Sequence, residues 1–139
     1  MSGIRRELVN EVIAAWNDHD IERLAGLYAP DYEGVDVGQA NPQYGPEEAC
    51  RAMACYLNAF PDIHFTPEST IVEGNHAALA WTARGTHRGK LMRIPPTGHS
   101  IEMRGVTLFT VEGDKITHGM HIWDVAGFLR AIGLLPELQ

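Results

Sequence analysis

The spacing of apolar residues divides the chain into a helical first part and a second part rich in strands. Up to Pro61, apolar residues recur every three or four positions, which places them on one face of an α-helix. This spacing predicts a first helix with apolar positions from Ile4 to Trp16 and a short second helix capped by Asp20. A third helix is expected to begin at Pro46, where acidic residues follow in the first turn, and to end at Pro61.

Beyond Pro61 the apolar and polar residues alternate, as they do in strands with one buried face. The alternation predicts four long antiparallel strands, at about residues 63–72, 76–87, 99–111 and 115–123. Hairpin turns are expected at Glu73-Gly74-Asn75 and Glu112-Gly113-Asp114, and a longer connection at residues 89–98.

Two further segments complete the predicted secondary structure. A short strand is expected at 32–37, after a turn at 29–31 and before a polar loop that extends to Pro46. Asp124 is expected to start a last helix, with Gly133 just past its end. Helices segregated on one face of a curved antiparallel sheet make an α+β fold, here a single domain of residues 1–139.

Composition and charge limit the class of protein and the kinds of binding partner that are expected. The 139 residues are 45% hydrophobic and 21% charged, which excludes a disordered chain and a membrane span. Because 18 Asp and Glu outnumber 11 Lys and Arg, with no basic cluster, nucleic acid and anionic membrane surfaces are poor partners.

The cysteines and the N-terminus point to the cytoplasm. Cys50 and Cys55 fall five residues apart on one predicted helix, so their side chains point in different directions and are not expected to form a disulfide. The first residues contain no apolar stretch like that of a secretory signal. A reduced, cytoplasmic protein fits both observations.

Six short strings are distributed over nearly the whole chain. They are Leu27-Tyr28-Ala29-Pro30-Asp31-Tyr32, Gly45-Pro46, Gly85-Thr86-His87-Arg88-Gly89, Pro95-Pro96-Thr97-Gly98, Gly113-Asp114-Lys115-Ile116, and Asp124 followed by Leu129-Arg130-Ala131-Ile132-Gly133. Their order and spacing resemble the nuclear-transport-factor-2-like fold and, within it, the SnoaL-like polyketide cyclases. The resemblance implies a cone-shaped domain with a deep apolar pocket between the concave sheet face and the helices. It also implies a homodimer or homotetramer, an apolar polyketide-like substrate, and no metal or organic cofactor.

His121 is the leading candidate among seven histidines, which are His19, His64, His76, His87, His99, His118 and His121. In the cyclases a side chain on the last strand serves as general acid/base for an intramolecular aldol closure. The resemblance places an aspartate where this chain has His121. Histidine, with an ordinary pKa of about 6.5, can remove and return a proton near neutral pH. The alternative is a histidine that is hydrogen-bonded within the sheet or exposed at its edge.

Strand geometry argues against a metal site. His118 and His121 are three positions apart on a strand, so they face opposite sides of the sheet. Nor do the other histidines, cysteines and carboxylates have the spacing of a zinc site.

Two aspartates are secondary catalytic candidates. Asp124 could orient His121 or contact substrate, although capping the last helix is the favoured interpretation. The distance of Asp36 from Leu27-Tyr28-Ala29 resembles that of the base in ketosteroid isomerases of this fold. Their oxyanion-donating tyrosine matches Val12 here, however, and their second acid matches no carboxyl group on the fourth strand. The favoured interpretation of Asp36 is therefore a solvated residue at a strand end.

A set of aromatic and neighbouring residues is predicted to line the pocket and bind substrate. The set is Trp16, Tyr32, Trp81, Met103, Thr107, Phe109 and Trp123. The alternative for each aromatic residue is simple filling of the core. Gly105 and Thr107 are small where the cyclases carry polar side chains facing the substrate, which predicts a less polar or larger pocket. The loop from Pro95 to Gly98 either rims the mouth of the pocket or is a plain surface connection.

Three functions follow from these observations. The first is a cofactor-independent acid/base enzyme that closes a ring in a polyketide-type substrate, with His121 as the acid/base. The second is another reaction of the same fold: isomerisation, hydration, epoxide hydrolysis or an accessory role in hydroxylation. The third is a non-catalytic domain for ligand binding or oligomerisation, which a His121 facing away from the pocket would favour.

Overall fold

Residues 6–136 are described by the structure, a computed structural model, and they form six strands and four helices. The helices are α1 (Arg6–Asn17), α2 (Ile21–Ala25), α3 (Gly45–Ala59) and α4 (Val125–Ala131). The strands are β1 (Tyr28–Asp36), β2 (Gln43–Tyr44), β3 (His64–Glu73), β4 (His76–Thr86), β5 (Ser100–Glu112) and β6 (Lys115–Trp123). The predicted start of the first helix at Ile4 lies outside the described residues.

All six strands belong to one curved sheet in the order β2-β1-β6-β5-β4-β3. Strands β3 to β6 form an antiparallel meander, while β1 pairs in parallel with β6. Helix α1 packs against β3 and α3 packs against β1, so the helices cover the concave face. The α+β fold with N-terminal helices on a curved sheet is thus confirmed. Within residues 6–136, no helix is both long and apolar enough to cross a membrane.

The four long strands and both hairpins are where the alternation predicts them, within one or two residues. The predicted turn at 29–31 is wrong, because β1 begins at Tyr28 and includes Pro30. Proline has no N–H to donate to a neighbouring strand, which is why it suggests a turn. The strand tolerates it because the register between β1 and β6 shifts between Tyr28 and Glu33. The polar loop also contains the short strand β2, which pairs with β1.

The helix ends agree with the predicted capping residues. The Asp20 carboxylate accepts the Arg23 N–H at 3.0 Å, and the Asp124 carboxylate accepts the Gly127 N–H at 2.8 Å. Gly133 follows α4 with a φ of +84°, a conformation that favours glycine. Cys50 and Cys55 are both free thiols.

Tyr32 lies against the concave face with its hydroxyl buried. A Cβ on Gly34 would lie 2.2 Å from the Tyr32 oxygen, and a Cβ on Gly119 would lie 2.5 Å from it. These two glycines are paired across β1 and β6, so the phenol occupies the space that their missing side chains leave. The oxygen has no hydrogen-bond partner among the described residues. A buried hydroxyl without a partner reduces stability.

Replacing Tyr32 with Phe should therefore stabilise the fold. Removing an unpartnered buried hydroxyl while keeping the ring is expected to raise the free energy of unfolding by about 1 kcal/mol. Urea denaturation followed by circular dichroism measures the change. Tyr56→Phe is the matched control: it removes a partly buried hydroxyl that does donate a hydrogen bond, to Asp36, and should lower stability. A Tyr32→Phe protein less stable than the wild type would show that the hydroxyl has a favourable partner.

Candidate active site

A cavity of about 80 Å³ lies between the concave sheet face and helices α1 and α3. Most of its wall is apolar or aromatic, and its polar residues come from strands of the sheet, including β2, and from α3. The lining residues are Val12, Ile13, Trp16, Tyr28, Asp36, Gln43, Ala49, Ala52, Tyr56, Ile63, Phe65, Leu79, Trp81, Ala83, Met103, Thr107, Phe109, His121 and Trp123. Asp36 is the one acidic residue of this wall, and Lys and Arg do not contribute to it.

Three polar side chains of the wall come from one row across the sheet. Asp36 on β1 is paired with His121 on β6, and His121 is paired with Thr107 on β5. Leu79 on β4 continues the row. Residues paired directly on one face have Cβ atoms about 5 Å apart. The strand register therefore brings a carboxylate, an imidazole and a hydroxyl together inside the cavity.

Asp36 is buried, with 4% of its surface exposed, so the predicted solvated position is wrong. Both carboxylate oxygens accept hydrogen bonds. Oδ1 accepts from the Gly38 N–H at 2.7 Å and from Trp123 Nε1 at 3.0 Å, while Oδ2 accepts from the Tyr56 hydroxyl at 2.7 Å. Burial raises the pKa of Tyr56, and the Asp36 charge raises it further, so this phenol stays a hydrogen-bond donor. These donors replace the water that a buried carboxylate loses.

His121 is half-buried, with its ring held by Thr107. Its Nδ1 lies 3.1 Å from Thr107 Oγ1, and Trp81 Nε1 donates a hydrogen bond to the same oxygen at 3.0 Å. Burial lowers the pKa of His121 below its usual value, and the neighbouring Asp36 charge offsets only part of this effect. The imidazole is therefore mainly uncharged at neutral pH. Because Nδ1 faces Thr107, Nε2 is the nitrogen available to a ligand.

The small residues on β5 do not enlarge the cavity. Gly105 is paired with Trp81, and a Cβ on this glycine would lie 2.5 Å from the indole ring. Trp81 thus occupies the space above Gly105. The missing side chain at Gly105 therefore adds no space to the cavity, which is small compared with ligand pockets of about 300–1,000 Å³.

Five aromatic rings form a continuous chain of contacts through the cavity wall. In order they are Trp123, Tyr56, Trp16, Phe65 and Trp81, with neighbouring centroids 5.1 to 6.5 Å apart. Three of these four contacts are edge-to-face and the fourth is tilted, geometries that aromatic pairs favour. The rings surround the polar row with a wall suited to a flat apolar ligand.

The structure places six of the seven predicted substrate-binding residues in this wall, namely Trp16, Trp81, Met103, Thr107, Phe109 and Trp123. Tyr32 is the exception, because it is fully buried against Gly34 and Gly119 and does not line the cavity. Asp124 also lies outside the wall, exposed, as the N-cap of α4. The loop from Pro95 to Gly98 contributes nothing to the lining.

Tyr56 and Gln43 are site residues that the sequence pattern does not identify. Tyr56 fits the apolar stripe of α3, which conceals the fact that its hydroxyl reaches Asp36. Gln43 lies in a segment predicted to be a polar loop, yet it is buried in β2. The signal that could have found Gln43 is weak: one amide beside Pro42 in a glycine-containing loop.

Among residues 6–136, no group of three or more His, Cys, Asp or Glu side chains could hold a metal ion.

Comparison with known proteins agrees with this architecture. The sequence matches the SnoaL-like polyketide cyclase family over residues 6–132. AclR from Streptomyces galilaeus, a candidate hydroxylase, is 25% identical, with a TM-score of 0.84 over 96% of this chain and 87% of AclR. IdmH from Streptomyces antibioticus, a candidate polyketide cyclase, is 26% identical, with a TM-score of 0.80 over 92% of this chain and 97% of IdmH.

A third structure is similar in fold alone. It is a hypothetical protein from Catenulispora acidiphila with a ketosteroid isomerase-like fold, in complex with trimethylamine. It is 21% identical, with a TM-score of 0.80 over 95% of this chain and 96% of that protein. A comparison with the curated proteins gave no match.

The two opposing effects on His121 can be separated by titration. In the wild type we expect the His121 pKa to lie below about 6.5 because burial dominates. Replacing Asp36 with Asn removes the negative charge that favours the imidazolium, so the His121 pKa should fall further. Nuclear magnetic resonance titration of the histidine ring protons measures both values, and the exposed His64 at the far edge of the sheet provides an internal control signal. An unchanged or higher His121 pKa in Asp36→Asn would contradict the described electrostatics.

Proposed function

Because this chain belongs to the SnoaL-like polyketide cyclase family, we propose that it is a cofactor-independent acid/base enzyme that closes a ring in an apolar, polyketide-type substrate. The observation that supports this proposal is the polar row inside the aromatic cavity. Asp36 and His121 are neighbours in it, in a wall that is otherwise largely apolar. Paired titratable groups in an apolar pocket are typical of acid/base catalysis.

The chemistry requires one base, one acid and an oxygen-stabilising donor. The base removes a proton from a carbon flanked by two carbonyl groups, which leaves an enolate. The enolate carbon forms a bond to the carbon of another, more distant carbonyl group of the same molecule. The oxygen of that carbonyl becomes an alkoxide, which takes a proton. The proton removed and the proton returned balance, so the product is an isomer of the substrate. Asp36 and His121 are the two groups to which we assign the roles of base, acid and oxygen-stabilising donor.

The cavity also constrains the substrate. Its wall contains the acidic Asp36 without a Lys or Arg, which disfavours an anionic ligand and favours a neutral one. A volume of about 80 Å³ holds only a part of a multi-ring molecule. We therefore expect the reacting end to enter the cavity while the remainder extends outside, or the aromatic side chains to move apart on binding.

Replacing His121 with Ala should lower turnover by at least about 100-fold in a protein that still folds. Loss of an acid/base group, or of a donor that stabilises the developing oxyanion, typically lowers kcat by about 100- to 10,000-fold. Liquid chromatography of products from an activated methyl ester of an aromatic polyketide measures ring closure. Asp124→Asn is the matched control, because it changes a carboxylate that caps α4 outside the cavity wall. Unchanged ring closure in a folded His121→Ala protein would refute the assignment.

A second candidate function is an accessory role in hydroxylation, which the similarity to AclR favours. Product mass separates the two candidates. Aldol closure gives an isomer of the substrate, whereas hydroxylation adds an oxygen atom and needs an oxidant. Incubation with the same polyketide substrate, with and without oxygen and a reductant, distinguishes them by mass spectrometry.

We also propose that the protein is a homodimer formed through the convex face of the sheet. Apolar residues on this outer face remain exposed; they are Val35, Ile71, Val106, Leu108, Met120 and Ile122. Val35, Met120, Leu108 and Ile71 lie in one row with Ala78, across five strands. This face also carries a groove of about 630 Å³. A contiguous apolar patch of this kind is typical of an interaction site, and a second copy can cover it symmetrically.

A charge on this outer face should prevent the dimer. Leu108 is 41% exposed, so Leu108→Glu should fold normally yet give the mass of a monomer, while the wild type gives the mass of a dimer. Size-exclusion chromatography with light scattering measures the mass. Leu134→Glu, at an apolar residue that is 57% exposed after α4, is the control and should remain dimeric. A monomeric wild type, or a dimeric Leu108→Glu protein, would exclude this interface.

A further inference from the structure

We propose that Trp81 and Thr107 are positioning residues that hold His121 in the neutral tautomer with its proton on Nε2. In this tautomer His121 meets the substrate as a hydrogen-bond donor, and the proton transfers fall to Asp36. The catalytic part of this inference rests on the proposed acid/base function. The tautomer is a property of the protein alone and can be measured without a substrate.

The tautomer follows from counting donors and acceptors around one hydroxyl. Trp81 Nε1 can only donate, so Thr107 Oγ1 accepts at 3.0 Å. The remaining partner of Thr107 is His121 Nδ1 at 3.1 Å. If Thr107 donates its single hydrogen to an unprotonated Nδ1, all three groups are satisfied and Nε2 carries the proton. If Nδ1 instead carried the proton, the buried Thr107 hydroxyl would accept two hydrogen bonds and its own hydrogen would lack an acceptor in this row.

The geometry of Trp81 is fixed by its neighbours on both sides. Phe65 packs edge-on against the indole at 5.1 Å between centroids. On the other side the ring lies over Gly105, where any Cβ would approach it to 2.5 Å. The missing side chain at Gly105 thus allows the indole N–H to reach across to Thr107. Because the indole is confined in this way, its N–H is a fixed donor and determines which way the Thr107 hydroxyl points.

In this arrangement His121 donates a hydrogen bond to the substrate and Asp36 transfers the protons. A neutral imidazole N–H can donate a hydrogen bond to a carbonyl or enolate oxygen, but to release its proton it would have to become an imidazolate. The proton taken from the substrate carbon therefore goes to Asp36. Oδ1 of Asp36 already accepts two hydrogen bonds, whereas Oδ2 accepts one, from Tyr56, and has capacity for the proton. Asp36 then returns this proton to the alkoxide that ring closure creates.

Long-range nitrogen–proton correlation spectra of the histidine rings test the inference directly. At neutral pH the wild type should show His121 with a protonated Nε2 and an unprotonated Nδ1. Thr107→Val removes the hydroxyl at nearly constant volume, and Trp81→Phe removes the indole donor while keeping a ring, so each variant should acquire a measurable Nδ1–H population. Thr107→Ser keeps the hydroxyl and should restore the wild-type pattern.

Thr110→Val provides the matched control. Thr110 Oγ1 lies 3.2 Å from His76 Nδ1 on the same pair of antiparallel strands that carries Thr107, but this threonine–histidine pair is on the convex side. The variant should leave the His121 signals unchanged. A wild-type His121 with its proton on Nδ1, or Thr107→Val and Trp81→Phe spectra identical to the wild type, would overturn the inference.

Kinetics then separate this inference from the proposed function. If the protein closes the ring, Thr107→Val should lower kcat by about two- to tenfold with little change in KM, and Thr107→Ser should restore it. If no ring closure occurs while the spectra show the Nε2–H tautomer, the proposed reaction fails and the positioning of His121 by Trp81 and Thr107 stands. If ring closure occurs while the spectra show the Nδ1–H tautomer, the proposed reaction stands and the positioning role fails.

Discussion

The architecture of the site depends on one buried negative charge. A carboxylate that is withdrawn from water needs hydrogen bonds in return, and Asp36 receives them from three separate parts of the chain. The Gly38 N–H follows β1, the Trp123 indole ends β6, and the Tyr56 hydroxyl comes from α3. Because these donors must all converge on one group, they fix α3 relative to the sheet at the cavity. The edge-to-face contact between Tyr56 and Trp123 reinforces the same position.

Glycines on the concave face of the sheet determine how much of the space between the sheet and the helices is filled by aromatic rings. The Tyr32 ring lies over Gly34 and Gly119, and the Trp123 indole would be 2.8 Å from a Cβ on Gly38. Trp81 lies over Gly105 in the same manner. These large rings pack over glycine residues and occupy much of the space between the sheet and the helices. A small cavity remains beside the polar row. The same packing aims the indole N–H groups of Trp81 and Trp123 at Thr107 and Asp36.

Local patterns in the sequence predict the elements, whereas the site requires knowledge of contacts between distant residues. Alternation locates β3 to β6, because one face of each strand is buried and the period of two is visible in the sequence. The interpretation of Asp124 as a helix cap is correct, since capping is local. The interpretation of Asp36 is wrong because its burial depends on Tyr56, twenty positions away, and Trp123, eighty-seven positions away. The family resemblance predicts position 121 as a site residue, but the contact of His121 with Thr107 follows only from the strand register.

The histidine at position 121 has a carboxylate beside it in the row formed by Asp36, His121 and Thr107. The resemblance places an aspartate where this chain has His121, yet the row still contains a carboxylate, because Asp36 occupies the adjacent position on β1. Neighbouring strands are only about 5 Å apart, so the Asp36 carboxylate and the His121 ring line the same part of the cavity. Here the carboxylate is accompanied by an imidazole whose pKa burial lowers, and in the proposed mechanism this combination supplies a proton acceptor beside a hydrogen-bond donor.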